Sequence, residues 1–335
     1  QRARAFVTEH VLPLEADRKT LNPLAILRTI SSMHDLIQDD GPDIIHLIAL
    51  RSIIIGGLAA RLAGVSRRVV ALTGMGLLGA ASTLRLKLSR LVVRAFIRVV
   101  VDGDETRFLF ENQSDPGLLG LDAEDRKKVA IVGGAGIDPD VFRPEPLPEN
   151  PPLKLAMIAR MLWSKGADMA VAAVLQARNA GADVTLSLYG APDPGNPKSI
   201  PEAALRTWDA MPGISWHGRI EQKDVPGIWA EHHIAVLPSR GGEGLPRTLL
   251  EAAGCGRAIL TTDVPGCRDL VRGGVEGLLV PPDDPEALAR AILALVAAPH
   301  WIDQMGAAAR SRILIGYTET TVGRTVVQLY RSMLA

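Results

Sequence analysis

The chain has 335 residues, 47% of them hydrophobic, and its 37 basic side chains balance its 37 acidic ones; that length predicts two domains with separate cores. A neutral balance and a 4% aromatic share argue against a dedicated nucleic-acid binder. The two cysteines, Cys255 and Cys267, follow no metal spacing and suit structural thiols in a reducing cytoplasm, no apolar run reaches the roughly 18 to 20 residues of a membrane span, and the start at Gln1, with neither Met nor signal peptide, is expected to lie inside a longer gene product.

Residues 1–22 offer one plausible strand, at 6–14, and no glycine. A doubly wound sheet opens with a strand and a glycine turn, so about one strand and one helix are expected upstream. The first half then predicts strands near 43–47, 68–72, 107–110 and 129–132, with helices near 23–38, 53–62 and 83–97. Apolar strands alternating with helical patterns imply parallel sheets with crossover helices. The stretch R-P-E-P-L-P-E-N-P-P at 143–152 suits neither element. It divides a first domain (1–143) from a second (154–317) through a linker (144–153), and 318–335 is expected to cross back onto the first domain.

Between residues 44 and 101 there is no acidic side chain but nine cations, several in the basic, apolar-rich helix candidate L-R-L-K-L-S-R-L-V-V-R-A-F-I-R at 84–98. It reads either as a crossover helix with its cations in water or as a face for an anionic bilayer. The acid-free stretch favours the second, so the first domain is expected to sit peripherally on the cytoplasmic leaflet. Asp102-Gly103-Asp104 imitates a metal-binding D-x-D, but D-G-D is also a common turn, and no metal is expected there.

In the second half, strands are expected at 154–159, 184–189, 214–217, 234–237, 258–261 and 277–280, a helix at 167–179, and only helices after Pro285. The most informative segment is E-G-L-P-R-T-L-L-E at 243–251, behind the apolar run 234–237 and the breakers P-S-R-G-G that contain Ser239. Pro246 is expected to open a helix over 246–253 that Gly254 ends. Backbone N–H groups from Gly244 through Leu245 to Thr248 would then face phosphate. Glu243 and Glu251 would repel phosphate and are assigned to hydroxyls, one on a sugar and one on a ribose. Taken alone, the same pair reads as a helix-start charge and a solvated face residue. Arg160 and Lys165, after the first strand of this half, can converge on a diphosphate at the sheet edge. Tyr189-Gly190 and His217-Gly218-Arg219 end the next two strands, where glycine lets a base or ribose approach the backbone.

Five stretches, A-R-M-L-W-S-K-G, S-L-Y-G-A-P-D-P-G-N-P, W-H-G-R-I, V-L-P-S-R-G-G-E-G-L-P-R-T-L-L-E-A-A and T-T-D-V-P-G-C-R-D-L-V, resemble the donor domain of family 4 retaining glycosyltransferases. The resemblance implies an α/β fold of GT-B type: two facing Rossmann-like domains with parallel sheets and a C-terminal helix crossing back. It implies catalytic roles for Glu243, against the transferred sugar, and for Arg160 and Lys165 on the diphosphate. Glu251 would hold ribose, with Gly244, Leu245, Pro246, Thr248, Tyr189, Gly190, His217, Arg219 and Ser239 completing the donor side. G-P-D-I-I-H, the T-G-M-G of 73–76, F-E-N-Q-S-D and G-G-A-G-I-D-P-D-V-F resemble the acceptor domain of the bacterial polysaccharide branch, which implies an acceptor-side cleft with Thr73, Gly74, Asn112, Gly134 and Gly136. The implied activity is transfer of a hexose or N-acetylhexosamine from a nucleotide sugar, UDP-linked, to a lipid-diphosphate saccharide, with no cofactor and no metal. A nucleotide-sugar epimerase of the same architecture and a non-catalytic nucleotide-sugar-binding module are the alternatives.

Overall fold

The computed structural model describes residues 22–74 and 84–335. The expected strand at 6–14, the start of the helix expected at 83, and Met75-Gly76 of the T-G-M-G stretch lie outside the described residues.

In chain order, the first half forms α1 (Pro23–Asp40), β1 (Ile45–Ile48), α2 (Leu50–Leu62), β2 (Arg68–Leu72), α3 (Leu84–Phe96), β3 (Thr106–Phe110), α4 (Asp115–Leu119) and β4 (Val129–Ile131). The local signals are physical ones. Asn22 caps α1 by accepting from the Leu24 amide at 3.0 Å, Pro23 opens the helix, and Gly41 ends it in the left-handed region (φ 56°). The helix expected at 83–97 does not stop there. It continues as a π turn over Ile97–Val101, closed by Asp102 N–H to Ile97 C=O at 2.8 Å, which buries Ile97 and Val101. Just beyond it, the Asp102 carboxylate is taken by Lys128 Nζ (2.6 Å) and the Gly103 amide (2.8 Å), the arrangement of a turn.

The second half forms β5 (Leu153–Ile158), α5 (Ala167–Asn179), β6 (Val184–Tyr189), α6 (Glu202–Asp209), β7 (Ile214–Trp216), α7 (Val225–Ala230), β8 (Ile234–Leu237), α8 (Arg247–Gly254), β9 (Ala258–Thr262), α9 (Cys267–Leu270), β10 (Gly277–Val280), α10 (Pro285–Ala297), α11 (His300–Gly316) and α12 (Glu319–Leu334). Two sheets result, both parallel: β1-β2-β3-β4 and β10-β9-β8-β5-β6-β7. Every residue of β2, β8 and β9 is buried, as strands covered on both faces must be.

The second sheet reverses its strand order between β5 and β8. Right-handed crossovers therefore put α5 on one face and α8 on the other, and α5 packs against α10 while α8 packs against α11. The crevice above β5 and β8 is the switch point at which such sheets bind ligands. The proline-rich connection is pinned to this half: buried Arg257 donates to the Glu145 carbonyl (2.6 Å) and His233 Nε2 contacts the Pro148 carbonyl (3.0 Å). Cys255 and Cys267 are buried free thiols, both pushed up to about 12 by desolvation.

The last helix crosses back. Thr318 caps α12 by accepting from the Thr321 amide (3.1 Å), and Val322, Val326, Leu329, Tyr330 and Met333, at helical spacing, pack on Val69, Ala71, Leu109 and Val132 of the first sheet. No helix among the described residues is long and apolar enough to cross a membrane.

Candidate active site

The carboxyl ends of the two sheets converge on one tripeptide, Glu243-Gly244-Leu245, between β8 and α8. Lys165, from the turn after β5, pairs with the Glu243 carboxylate, and both side chains are largely buried, 19% and 13% exposed. Ser239, fully buried at the end of β8, donates to the same carboxylate oxygen at 3.1 Å and accepts from the Gly241 amide. Arg160 stands further out, 65% exposed and paired with Asp193 at 3.1 Å. The expected clamp is thus arranged as a chain: Lys165 bears directly on Glu243, and Arg160 lines the same cavity beyond it.

The helix behind this loop begins one residue later than expected. Pro246 is extended (φ −65°, ψ 109°) and acts as the N-cap, so α8 starts at Arg247; Gly254 is its last residue, and the left-handed turn falls at Gly256 (φ 69°). Pro246 has no N–H to offer, so the free amides of the first turn begin at Arg247. The Thr248 hydroxyl beside them is buried without a partner. Glu251 is 4% exposed and accepts from Arg247 Nε (2.9 Å) and Gln222 Nε2 (2.8 Å), which leaves lone pairs for a hydroxyl.

Tyr189 and His217 stack ring on ring, 4.5 Å apart and 12° from parallel, above the ends of β6 and β7. Gly190 does not leave room for a base. Its φ of 139° and the Ala159 carbonyl lying where a Cβ would go make it a close-packing position between strands. Gly218 (φ 69°) does face open space, next to exposed Arg219.

From the first sheet, Thr73-Gly74 follow β2 and press on the same tripeptide: a Cβ on Gly74 would lie 2.5 Å from the Gly244 nitrogen. Asn112, after β3, does not line the acceptor-side cleft. It is fully buried, donates to Asp115 (2.9 Å) and the Gly244 carbonyl (3.2 Å), and accepts from the Asp115 amide (2.9 Å). Gly134 packs on Leu245 and Leu250. Gly136 faces away from the cleft; its open side is filled by the Thr318-Glu319 backbone at 2.7 Å, where the chain turns into α12.

The sequence pattern does not single out one residue at the centre of this contact. Glu111, at the end of β3, accepts from the Leu245 amide at 2.8 Å. Burial pushes its carboxyl above the ordinary range, the Leu245 amide opposes that, and Asp115 and Glu243 add to it. The available signal was its position at the carboxyl end of a parallel strand, one residue before Asn112. Gln222, the partner of Glu251, carried no comparable mark.

A cavity of about 760 Å³ opens at Thr73, Gly74, Lys165 and Glu243 and runs outward past Arg160 and Trp163. It is large enough for a sugar and its neighbours. Two facing α/β domains with a Lys165–Glu243 pair at a switch point, and a helix start with free amides behind them, make up a GT-B architecture.

Two family models match the chain: "Glycosyl transferases group 1" over residues 152–298 and "Glycosyl transferase 4-like" over residues 4–100. N,N'-diacetylbacillosaminyl-diphospho-undecaprenol alpha-1,3-N-acetylgalactosaminyltransferase of Campylobacter jejuni is 24% identical over 281 residues, 80% of this chain and 71% of that protein. Alpha-maltose-1-phosphate synthase of Mycolicibacterium smegmatis is 31% identical over 66% of this chain and 61% of its own length. Among solved structures, Anabaena HepE in complex with UDP-glucose aligns at a TM-score of 0.76 (17% identity, 93% of this chain, 84% of that one). Sucrose-phosphate synthase of Thermosynechococcus elongatus aligns at 0.78 (18% identity, 96% and 82%). The chain belongs to the family 4 glycosyltransferases of GT-B fold, and its activity is that of a hexosyltransferase.

Proposed function

We propose that the chain moves a hexose or N-acetylhexosamine, with retention of configuration, from a UDP-linked donor to a polyprenyl-diphosphate-linked saccharide during cell-surface polysaccharide synthesis. The observation that carries this is the Lys165–Glu243 pair at the cavity floor, between the free amides of α8 and the first sheet. In this reading Glu243 accepts from hydroxyls of the transferred sugar, and Lys165 and Arg160 stabilise charge on the departing diphosphate, assisted by the Arg247 and Thr248 amides. Glu251 binds the ribose hydroxyls, and the Tyr189–His217 stack borders the base. Cationic side chains supply the charge neutralisation, so the reading needs neither metal nor cofactor.

The named activity of the Campylobacter relative supports a lipid-linked acceptor, and α3 supports the membrane where such an acceptor resides. Its Leu84, Leu88, Leu91 and Val92 are 59–84% exposed and fall on one stripe, flanked by Lys87 and Arg90, with exposed Arg98 in the π turn beyond. An apolar stripe with a cationic flank is the composition of a helix that lies in an anionic interface. We therefore read the enzyme as peripheral on the cytoplasmic leaflet.

The test is nucleotide release. Incubated with a panel of nucleotide sugars and a lipid extract from bacterial membranes, the protein should release UDP in an acceptor-dependent way, and Glu243→Ala should abolish it. UDP release that persists unchanged in Glu243→Ala, or is absent with every donor, overturns the reading.

A further inference from the structure

The buried Glu251 carboxylate is held by one oxygen. Gln222 Nε2, at 2.8 Å, and Arg247 Nε, at 2.9 Å, both donate to Oε1, while Oε2 takes no hydrogen bond from the described residues. The last torsion of a glutamate is intrinsically soft, so an unanchored carboxylate would present either oxygen. Two donors arriving at the same oxygen remove that freedom. They also offset part of the cost of withdrawing a charge that is only 4% exposed.

The two donors reach Glu251 from different parts of the chain. Arg247 is the first residue of α8 and stands at the i, i+4 spacing at which side chains on a helix meet. Gln222 opens a short 3-10 turn, Gln222–Asp224, in the connection between β7 and α7, and α7 packs beside α8. His217, which borders the base in the reading above, stands earlier in the same connection. One short segment thus carries a contact to the base and an anchor for the carboxylate assigned to the ribose.

We propose that Gln222 and Arg247 are positioning residues for ribose recognition: by occupying Oε1 they leave Oε2 to meet the nucleoside, and so make Glu251 selective for a nucleotide with free ribose hydroxyls. A single carboxylate oxygen has two lone pairs, enough for the vicinal hydroxyls of one ribose. The proposal rests on the assignment of Glu251 to ribose. If the two residues only neutralised a buried charge, their removal would alter the stability of the fold and not the discrimination of hydroxyls.

The test is calorimetric titration of the protein with UDP and with dideoxy-UDP, which lacks both ribose hydroxyls. Arg247 also stands at the phosphate end of α8, and the ratio of the two affinities cancels any effect it has on phosphate. The wild type should prefer UDP by at least about ten-fold, and Glu251→Ala should erase the preference. Gln222→Ala and Arg247→Ala should each reduce it to about three-fold or less, and Arg247→Lys, which keeps a cationic donor, should retain most of it. A wild-type preference in Gln222→Ala or Arg247→Ala, with none left in Glu251→Ala, overturns the positioning alone. No preference in the wild type, or its survival in Glu251→Ala, overturns the ribose assignment and the proposal with it.

Discussion

The Glu111 carboxylate, from the first sheet, accepts from the Leu245 amide of the second at 2.8 Å, and thereby ties the two halves together at the loop that carries Glu243. Asn112 adds a bond to the Gly244 carbonyl from the same strand end. Glu111→Ala leaves a buried N–H without its acceptor, a change worth about 1–3 kcal/mol. Because Glu111 does not line the cavity, the expected effect is indirect: a loosened Glu243 and a fall in kcat larger than the rise in donor KM. Glu111→Gln keeps an acceptor oxygen and should recover most of the rate. Equal losses in both variants would mean that charge, and not the hydrogen bond, is what matters there.

The same residue predicts a pH dependence with a definite sign. Burial raises the Glu111 carboxyl above 4.5, so ionising it costs more in the folded chain than in the unfolded one. Its contribution to stability is complete below about pH 4.5 and is lost as pH rises through the raised folded value. Glu111→Gln removes that titration. Across pH 4 to 7, the wild-type Tm should therefore fall relative to that of Glu111→Gln as pH increases; a constant difference contradicts it.

Lys165 and Glu243 predict strong coupling. Their side chains are largely withdrawn from water, so removing either partner strands the other, which typically costs about 3–5 kcal/mol when burial is complete and less here. Lys165→Ala and Glu243→Gln should each lower kcat by at least about a hundred-fold, yet the double variant should be scarcely worse than either one. Additive losses in that cycle would show that the two groups act independently.

These relationships divide into those the sequence makes legible and those it does not. Strands and helices of the second half are readable because fully buried parallel strands are continuous apolar runs, and Pro, Gly and Asp mark their ends. Helix starts shift by a residue where a proline can serve either as cap or as first residue, as at Pro246. The π turn at Ile97–Val101 is invisible to a 3.6-residue period because one extra residue rotates the stripe. Arg160, Lys165 and Glu243 follow strand ends and Glu251 lies in the helix behind, so all four stand out by position. Glu111 and Gln222 act through contacts across 134 and 29 residues respectively, which no local pattern encodes. Gly136 and Gly190 show the converse: the pattern puts both glycines beside a ligand, whereas backbone of the same chain fills the space next to them.

The exposed stripe of α3 predicts binding to anionic vesicles. At about 1 kcal/mol per cation near such a surface, replacing Lys87, Arg90 and Arg98 by Ala should weaken flotation with phosphatidylglycerol vesicles by about a hundred-fold. Leu88→Asp with Leu91→Asp should weaken it on neutral and anionic vesicles alike, since the apolar contribution does not depend on lipid charge. Unchanged flotation of the triple variant removes the electrostatic part of the argument.

His46 of β1 and Tyr330 of α12, joined Nδ1 to Oη at 2.5 Å, predict how the crossover helix is held. The His46 ring meets Tyr330 edge-on, its Nε2 is buried without a partner, and desolvation lowers its basicity. Protonation therefore opposes docking: the contribution of this group is complete above pH 6.5 and is lost as pH falls through its lowered folded value. Tyr330→Phe leaves both ring nitrogens unpaired and should cost about 1–3 kcal/mol. Hydrogen exchange should locate the damage, with β1, β2 and α12 amides exchanging faster while β5 and β8 are unaffected, because the apolar stripe of α12 packs on the first sheet. The same pattern should develop in the wild type on acidification below pH 6.5 and be blunted in His46→Asn, which cannot acquire the charge. Uniform acceleration across both sheets would mean instead that α12 supports the whole molecule and that the His46–Tyr330 contact is incidental.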